Sequence, residues 1–365
     1  MKIVVVGTRG IPDIQGGVET HCENLYPLII SEEYNIILLR RSCYVSSANK
    51  MHEYKGIKIK DVYAPKIKSI EAIIHTFLSV CYARRQRADI LHVHAIGPSL
   101  LVPFAKFLGM KVVMTHHGAD YDRQKWGKMA KYMLRKGERY AARYANQIIA
   151  ISEVIINDLK IKYKRENNVN LIFNGVNLPK RIETTAYLQS IGLTSRKYIF
   201  TLGRFVEEKG FHNLIEAYLN CAYKEDFKLV IAGDADHETN YSLKLKKLAS
   251  NNNVVLTGFL KGDNLSELFS HAALFVLPSF HEGLPISLLE AMSYQLDVLV
   301  SDIPANKAVI TSNDISFDPS DVKQLTLLLN RKLMNPSYFV YYDLSKYDWR
   351  NIAIQTQKVY DSLCQ

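Results

Sequence analysis

The chain has 365 residues, more than one typical α/β domain needs and enough for two. Its 48% apolar and 22% charged content excludes a disordered chain, and it holds no run of 18 apolar residues to span a membrane. A net charge of +10, with a pI near 9.1, directs it toward an anionic partner: nucleotide, nucleic acid or lipid head group.

The five cysteines (22, 43, 81, 221, 364) are scattered, odd in number and without CxxC spacing. They point to a reducing compartment and to neither a disulfide framework nor a zinc site. The opening Met-Lys-Ile-Val-Val-Val-Gly is too short for a signal peptide and reads as a first buried strand over Lys2–Val6. A loop containing Gly7-Thr-Arg9-Gly-Ile-Pro12 follows, and Gly16-Gly17 precedes a helix from about Val18 to Ile30. A glycine-rich turn between first strand and first helix is where α/β folds bind phosphates. The spacing is not GxGxxG, so a dinucleotide fingerprint is poorly supported.

Strand patterns recur at Asn35–Leu39, Ile57–Val62 and Asp89–Val93, with an apolar helix from about Ile70 to Ala83 before the last. His92-Val-His94 alternates like a strand, so both imidazoles face one side. Zinc needs at least three ligands and no third stands nearby in the sequence, so His94 is expected to line an acceptor site or to serve structure. Lys111–Thr115 is the next strand, and it ends in the polar run His116-His117-Gly118-Ala119-Asp120-Tyr121-Asp122-Arg123. Such a loop, at a strand's carboxyl end, is where α/β proteins place sites. Arg9, His94, Asp120 and Arg123 are the acceptor-side candidates.

A helix from about Lys125 to Ala145 gathers Lys125, Lys128, Lys131, Arg135, Lys136, Arg139 and Arg143 on one side. Met129, Met133, Leu134, Tyr140, Ala141 and Tyr144 occupy the other, so the helix reads as amphipathic with a basic outer face. Gln147–Ile151 is a short strand ending at Ser152-Glu153, a helix cap by residue type. Asn168–Ile172 then leads into Asn174-Gly175-Val176-Asn177, and the chain turns polar up to Arg196. The turn signal and the shift in composition put a domain boundary here, dividing 1–177 from 178–346.

The second half opens with a strand at Tyr198–Gly203 and the loop Arg204-Phe-Val-Glu-Glu-Lys209-Gly210. Two long cations beside backbone N–H groups can neutralise a pyrophosphate. Lys228–Ala232 and Val254–Thr257 continue the strand-then-turn rhythm of a second doubly wound unit. The strand Ala272–Leu277 delivers the chain into Pro278-Ser-Phe-His-Glu282-Gly283-Leu284-Pro285, where Pro285 suits a first helical position and Leu288 to Met292 are good helix formers. A helix N-terminus at a strand's end offers N–H groups and a positive dipole to a phosphate. Glu282 and Glu290 fall on the order of 10 Å apart at helical rise, too far to act on one atom and suited to the two ends of an elongated ligand.

The frame Glu-Gly-Leu-Pro-(x)4-Glu-Ala-Met resembles the signature of glycosyltransferase family 4, retaining sugar-nucleotide-dependent enzymes of the GT-B fold. The resemblance covers essentially the whole chain. Gly-Arg204…Lys209-Gly, Thr115-His116-His117 and Asn174-Gly-Val-Asn177 are similar to further family motifs. Gly-Thr-Arg-Gly-Ile-Pro…Gly-Gly-Val-Glu-Thr resembles the opening of a bacterial subset tied to surface-polysaccharide assembly. Tyr347-Asp-Trp349 and the run Asn351–Leu363 resemble the family's closing helix, so residues 347–365 are expected to complete the first domain.

The resemblance implies an α/β GT-B architecture, two Rossmann-like domains facing a cleft. It implies that Arg204 and Lys209 bind the donor diphosphate, Glu282 contacts the donor sugar and Glu290 holds the ribose. His117, preferred over His116, would stand beside the reacting sugar as a catalytic residue with Glu282. Gly16, Gly17, Gly283 and Leu284 join the donor set. The chain departs from the pattern at Gln295 and Asp297, where the family's Gly and Pro are expected. The change touches the turn after the donor helix and reads as drift.

The expected reaction moves a sugar from a nucleoside-diphosphate sugar to an acceptor hydroxyl, with retention and with neither metal nor cofactor. The acceptor is expected to be lipid-linked or a saccharide, met by a cytoplasmic enzyme peripheral at an anionic membrane. A GT-B epimerase or phosphorylase would share the architecture. A nucleic-acid-binding protein would explain the charge but not the paired glutamates, so no nucleic acid is expected as partner.

Overall fold

The computed structural model describes residues 1–47, 49–67, 70–122, 127–179, 181–235, 238–310 and 315–364. The chain forms two compact units, Met1–Gly175 with Lys346–Gln365, and Val176–Ser345. The sequence places the division two residues later. Gly175 belongs to the first unit because it lies flat on the Trp349 indole, whose nearest atom would sit 2.3 Å from an added Cβ.

The first unit is built from β1 (Lys2–Val6), α1 (Gly17–Ile29), β2 (Asn35–Arg41), β3 (Glu53–Tyr54), β4 (Ile57–Val62) and α2 (Glu71–Arg85). It continues with β5 (Ile90–His94), α3 (Val102–Phe107), β6 (Lys111–His116), α4 (Lys128–Tyr144), β7 (Gln147–Ala150), α5 (Glu153–Tyr163) and β8 (Val169–Leu171). Its sheet runs β3-β4-β2-β1-β5-β6-β7-β8. The pairs are parallel except β3 with β4, whose register sets Tyr54 opposite Ile57. β1 and β5 are buried along almost their whole length, as a parallel sheet covered on both faces requires. The closing helix Trp349–Asp361 packs into this core, with Trp349, Ile352, Val359 and Tyr360 among Ile3, Cys22, Leu25 and Ile36.

The second unit carries α6 (Ala186–Ser190), β9 (Tyr198–Leu202), α7 (Phe211–Leu219), β10 (Lys228–Ala232), α8 (Asn240–Asn251), β11 (Val255–Gly258) and α9 (Gly262–His271). β12 (Leu274–Leu277), α10 (Ile286–Ser293), β13 (Val298–Ser301), α11 (Pro304–Lys307), β14 (Ser316–Phe317) and α12 (Val322–Met334) follow, and the closing helix of the first unit is α13. The order β11-β10-β9-β12-β13-β14 is parallel throughout.

Three local expectations are corrected. Ser152 stands at the N-cap of α5 in extended conformation, but its hydroxyl makes no cap bond and is buried without a partner. Pro285 is the N-cap of α10, not its first residue: at φ −78, ψ 97 its backbone is extended, while its carbonyl accepts from Leu288 and Leu289. On α4 the buried strip is Gly137, Glu138, Ala141 and Ala142, whereas Met129, placed by periodicity on the apolar side, is 75% exposed. Gly137 explains the offset, because a Cβ there would lie 2.0 Å from the Ile96 carbonyl, so α4 turns its smallest residues inward.

Candidate active site

Each sheet reverses its winding at one place, between β1 and β5 in the first unit and between β9 and β12 in the second. In open α/β sheets the carboxyl ends at such a point bind ligands, and the candidate residues collect there. In the first unit Gly7, at φ +97, lays the β1 loop against β5 so closely that a Cβ would meet the His94 carbonyl at 2.2 Å. Glu19, buried on α1, accepts from the Thr8 hydroxyl at 3.1 Å and the Arg9 amide at 2.9 Å and so pins the loop to the helix start. Gly16 caps α1, and any side chain there would collide with the Glu19 carboxylate. Arg9 donates to the Gln15 carbonyl at 3.0 Å and lies over the Tyr44 ring, which ties it into its own loop.

The histidines form a buried cluster. His92 and His94 do face one side, their rings stacked at 4.4 Å. His92 is held by Tyr360 (2.7 Å), Thr115 (2.7 Å) and Tyr26 (3.0 Å), which makes it part of the core. His94 bonds to Tyr26 at 2.5 Å through Nε2 and to His117 Nε2 at 2.9 Å through Nδ1. His116 points elsewhere, into a hydrogen bond with Glu138 at 2.8 Å, both side chains buried. Burial opposes the charge on Glu138, but hydrogen bonds from His116, Tyr163 and Tyr121 outweigh it and hold the carboxyl below its usual range. His117 is half-buried at the strand's end, and burial, reinforced by the neighbouring imidazoles, holds it neutral. Asp120 sits in the turn after β6, and Arg123 lies outside the described residues.

In the second unit two loops meet at the switch point. Gly210, at φ +66, approaches Pro278 so closely that a Cβ would lie 2.1 Å from its carbonyl, and Phe280 N–H donates to the Glu208 carbonyl at 2.8 Å. This clasp brings Lys209 Nζ within 2.6 Å of Glu282 Oε1, an oxygen that also accepts from the Ser279 hydroxyl at 2.6 Å. Arg204 follows β9 in the same loop, half-buried. Gly283 and buried Leu284 lead to the N-terminus of α10. Glu290 lies in the second turn of that helix, and burial pushes its carboxyl up to about 7 against the opposing pull of Lys261.

Asp297 is not drift. Its carboxylate pairs with Lys332 on α12 at 2.6 Å and accepts from the Val298 amide, anchoring the start of β13. Gln295 adopts the left-handed conformation, φ 59, just past the C-cap of α10, the geometry for which glycine is suited.

Comparison with known proteins decides the class. Residues 15–180 match the family model "Glycosyltransferase Family 4" and residues 183–346 match "Glycosyl transferases group 1". The chain is a glycosyltransferase.

Among relatives, an uncharacterized glycosyltransferase of Methanocaldococcus jannaschii is 25% identical, covering 99% of this chain and 98% of its own. A UDP-Gal:alpha-D-GlcNAc-diphosphoundecaprenol alpha-1,3-galactosyltransferase of Escherichia coli is 25% identical over 87% of this chain and 84% of its own. Two solved structures share the fold at 17% identity and TM-score 0.81. They are sucrose-phosphate synthase from Thermosynechococcus elongatus (100% and 99% covered) and Anabaena HepE with UDP and glucose (99% and 100%). The glycosyltransferase thus has the GT-B architecture of two Rossmann-like units.

Sequence reasoning did not single out His21, Tyr26 or Ser279, and read Asn174 only as part of the turn between the domains. His21 lies on the buried face of α1, and its Nδ1 bonds to Asn174 Oδ1 at 2.9 Å, across 153 residues. No local pattern distinguishes such a histidine from a core residue. Ser279 was within reach, since it stands three residues before Glu282 in one tight turn.

Proposed function

We propose that this glycosyltransferase moves a sugar, with retention, from a nucleoside-diphosphate sugar to a hydroxyl of a lipid-linked acceptor in surface-polysaccharide assembly. The observation that carries the donor half is the convergence of Lys209 and Glu282 at the switch point of the second unit, beside Arg204 and the N-terminus of α10. A cation and a carboxylate held together at 2.6 Å are a ready-made exchange site. The arriving diphosphate takes Lys209, and Glu282 is released to accept from sugar hydroxyls. Glu290, whose burial raises its proton affinity, suits a ribose. Solved neighbours that hold UDP, or UDP-glucose, support a nucleotide donor.

Charge developing on the leaving diphosphate would be stabilised by Arg204, Lys209 and the helix N-terminus, with no metal required. His117, neutral and at a strand's carboxyl end, would contact the reacting sugar; Gly16 and Gly17 would serve the donor, and Arg9, His94 and Asp120 would line the acceptor side. Among the described residues no helix is long and apolar enough to cross a membrane. Attachment would rest on the basic face of α4, where Lys128, Arg135, Arg139 and Arg143 are exposed, with Arg84, Arg85 and Arg87 exposed at the end of α2. The acceptor reading is supported by the diphosphoundecaprenol named for the Escherichia coli relative. The test is turnover of nucleotide sugars with a lipid-diphosphate-linked monosaccharide. A product with the anomeric configuration of the donor supports the reading, whereas hydrolysis alone, or transfer only to soluble phosphosugars, contradicts its acceptor half.

A further inference from the structure

We propose that His21, His94 and His117 form a binding site for a divalent transition metal of the zinc class, in the first unit. One ring nitrogen from each lies within 4.8 Å of the others, and among the described residues no other such group of histidines, cysteines and carboxylates occurs. The three come from different elements, the first turns of α1, the end of β5 and the loop after β6. Only the fold assembles them.

Two further features separate this cluster from ordinary core histidines. The first is an orphan. His21 is 2% exposed, and its Nε2 is buried without any hydrogen-bond partner. A buried polar atom left unpaired is costly, and a metal ion is one way to satisfy it. The second is the outer ring of oxygens. His21 Nδ1 bonds to Asn174 Oδ1 at 2.9 Å, and His94 Nε2 bonds to the Tyr26 hydroxyl at 2.5 Å. Metal-bound histidines characteristically donate their second nitrogen to an oxygen, which fixes the tautomer that leaves the other nitrogen free to ligate.

The rings must adjust: the His94–His117 pair opens slightly, and any wider separation within the 4.8 Å cluster closes. Zn–N bonds of about 2.0–2.1 Å set tetrahedral ligand nitrogens roughly 3.3 Å apart. His94 Nδ1 and His117 Nε2 are 2.9 Å apart and share one proton, and the ion replaces that proton between them. If His94 carries it on Nδ1, it moves to Nε2 and toward Tyr26. If His117 carries it on Nε2, it moves to Nδ1. Both rings stay neutral. His94 and His21 are buried and His117 is half-buried, so a fourth ligand would be water reaching the ion from the side of His117. The ion would take a nitrogen of His117, the residue expected to contact the reacting sugar, so metal binding and the transfer proposed above are alternative uses of that ring. The site's existence does not depend on that chemistry.

The experiment is equilibrium binding of zinc to the chelator-stripped full-length protein by competition with a chromophoric chelator, repeated with cobalt(II) for its visible spectrum. We expect one tight site per chain. The cobalt form should show d–d bands without the near-ultraviolet band of a cysteine ligand. His21→Ala and His94→Ala should each abolish tight binding, and Asn174→Ala, which leaves all three rings, should weaken it about 10–100-fold. Circular dichroism shows which variants are folded, and Asn174→Ala carries the test if a histidine variant is not. Binding unchanged in the folded variants, cobalt–sulfur charge transfer, or no tight site in wild type would overturn the proposal.

Discussion

At the scale of the residue, the pair His116 and His117 shows how two identical neighbours take opposite duties. His116 is spent on Glu138, in a pocket shared with Tyr121 and Tyr163. Removing it leaves a buried carboxylate short of a partner, so His116→Ala should cost about 1–3 kcal/mol of stability in a denaturant titration. His117→Ala should leave stability nearly unchanged and lower turnover with nucleotide affinity kept; the reverse ranking would exchange their roles. Glu290 gives a pH signature. Its folded value of about 7 lies above the ordinary carboxyl value of 4.5, so the folded state holds the proton more tightly. The stabilising contribution is complete below the lower value and is lost as pH rises to the upper one. Glu290→Gln should flatten the stability profile across that window. It should also remove a rise in nucleotide affinity as the carboxylate ionises near pH 7, and a profile that does not change would separate Glu290 from the ligand.

The elements show what a sequence can carry and what it cannot. β1, β4 and β10 begin and end where the sequence puts them: β1 and β10 are unbroken apolar runs after a lysine, and β4 alternates apolar and polar residues. The loops after β9 and β12 were legible too: Gly210 and Glu282 stand in short polar turns between clear elements. The inward face of α4 was not. Charge periodicity located its basic side correctly, but Gly137 and Glu138 face inward because of Ile96 and His116, partners that periodicity does not reveal. Asp297 was misread likewise, its partner Lys332 being 35 residues away. Asp297→Ala should cost about 1–3 kcal/mol, since it strands Lys332 and frees the Val298 amide. Gln295→Gly should add up to about 1 kcal/mol by relieving the left-handed backbone. The basic face of α4 makes its own prediction. Co-sedimentation with anionic vesicles should be strong at low salt and screened at high salt. Replacing Lys128, Lys131, Arg135 and Arg139 by Gln should release the protein, whereas indifference to anionic vesicles at low salt would make the stripe a solvated face.

For the whole molecule, each unit carries its sequence motifs at the carboxyl ends of the strands at its switch point. The histidine cluster was not legible, since His21 and Asn174 meet only when the chain from α1 to the end of the first unit has folded. The donor site of the second unit bears the functional reading, and nucleoside-diphosphate affinity of the full chain tests it most directly. Titration calorimetry should give at least a tenfold loss for both Arg204→Ala and Lys209→Ala, the size expected from removing a charge-assisted contact of about 1.5–3 kcal/mol. Glu282→Gln should spare the free nucleotide while impairing use of the nucleotide sugar. Wild-type affinity for nucleoside diphosphate in both folded cation variants would place the donor elsewhere and contradict the assignment.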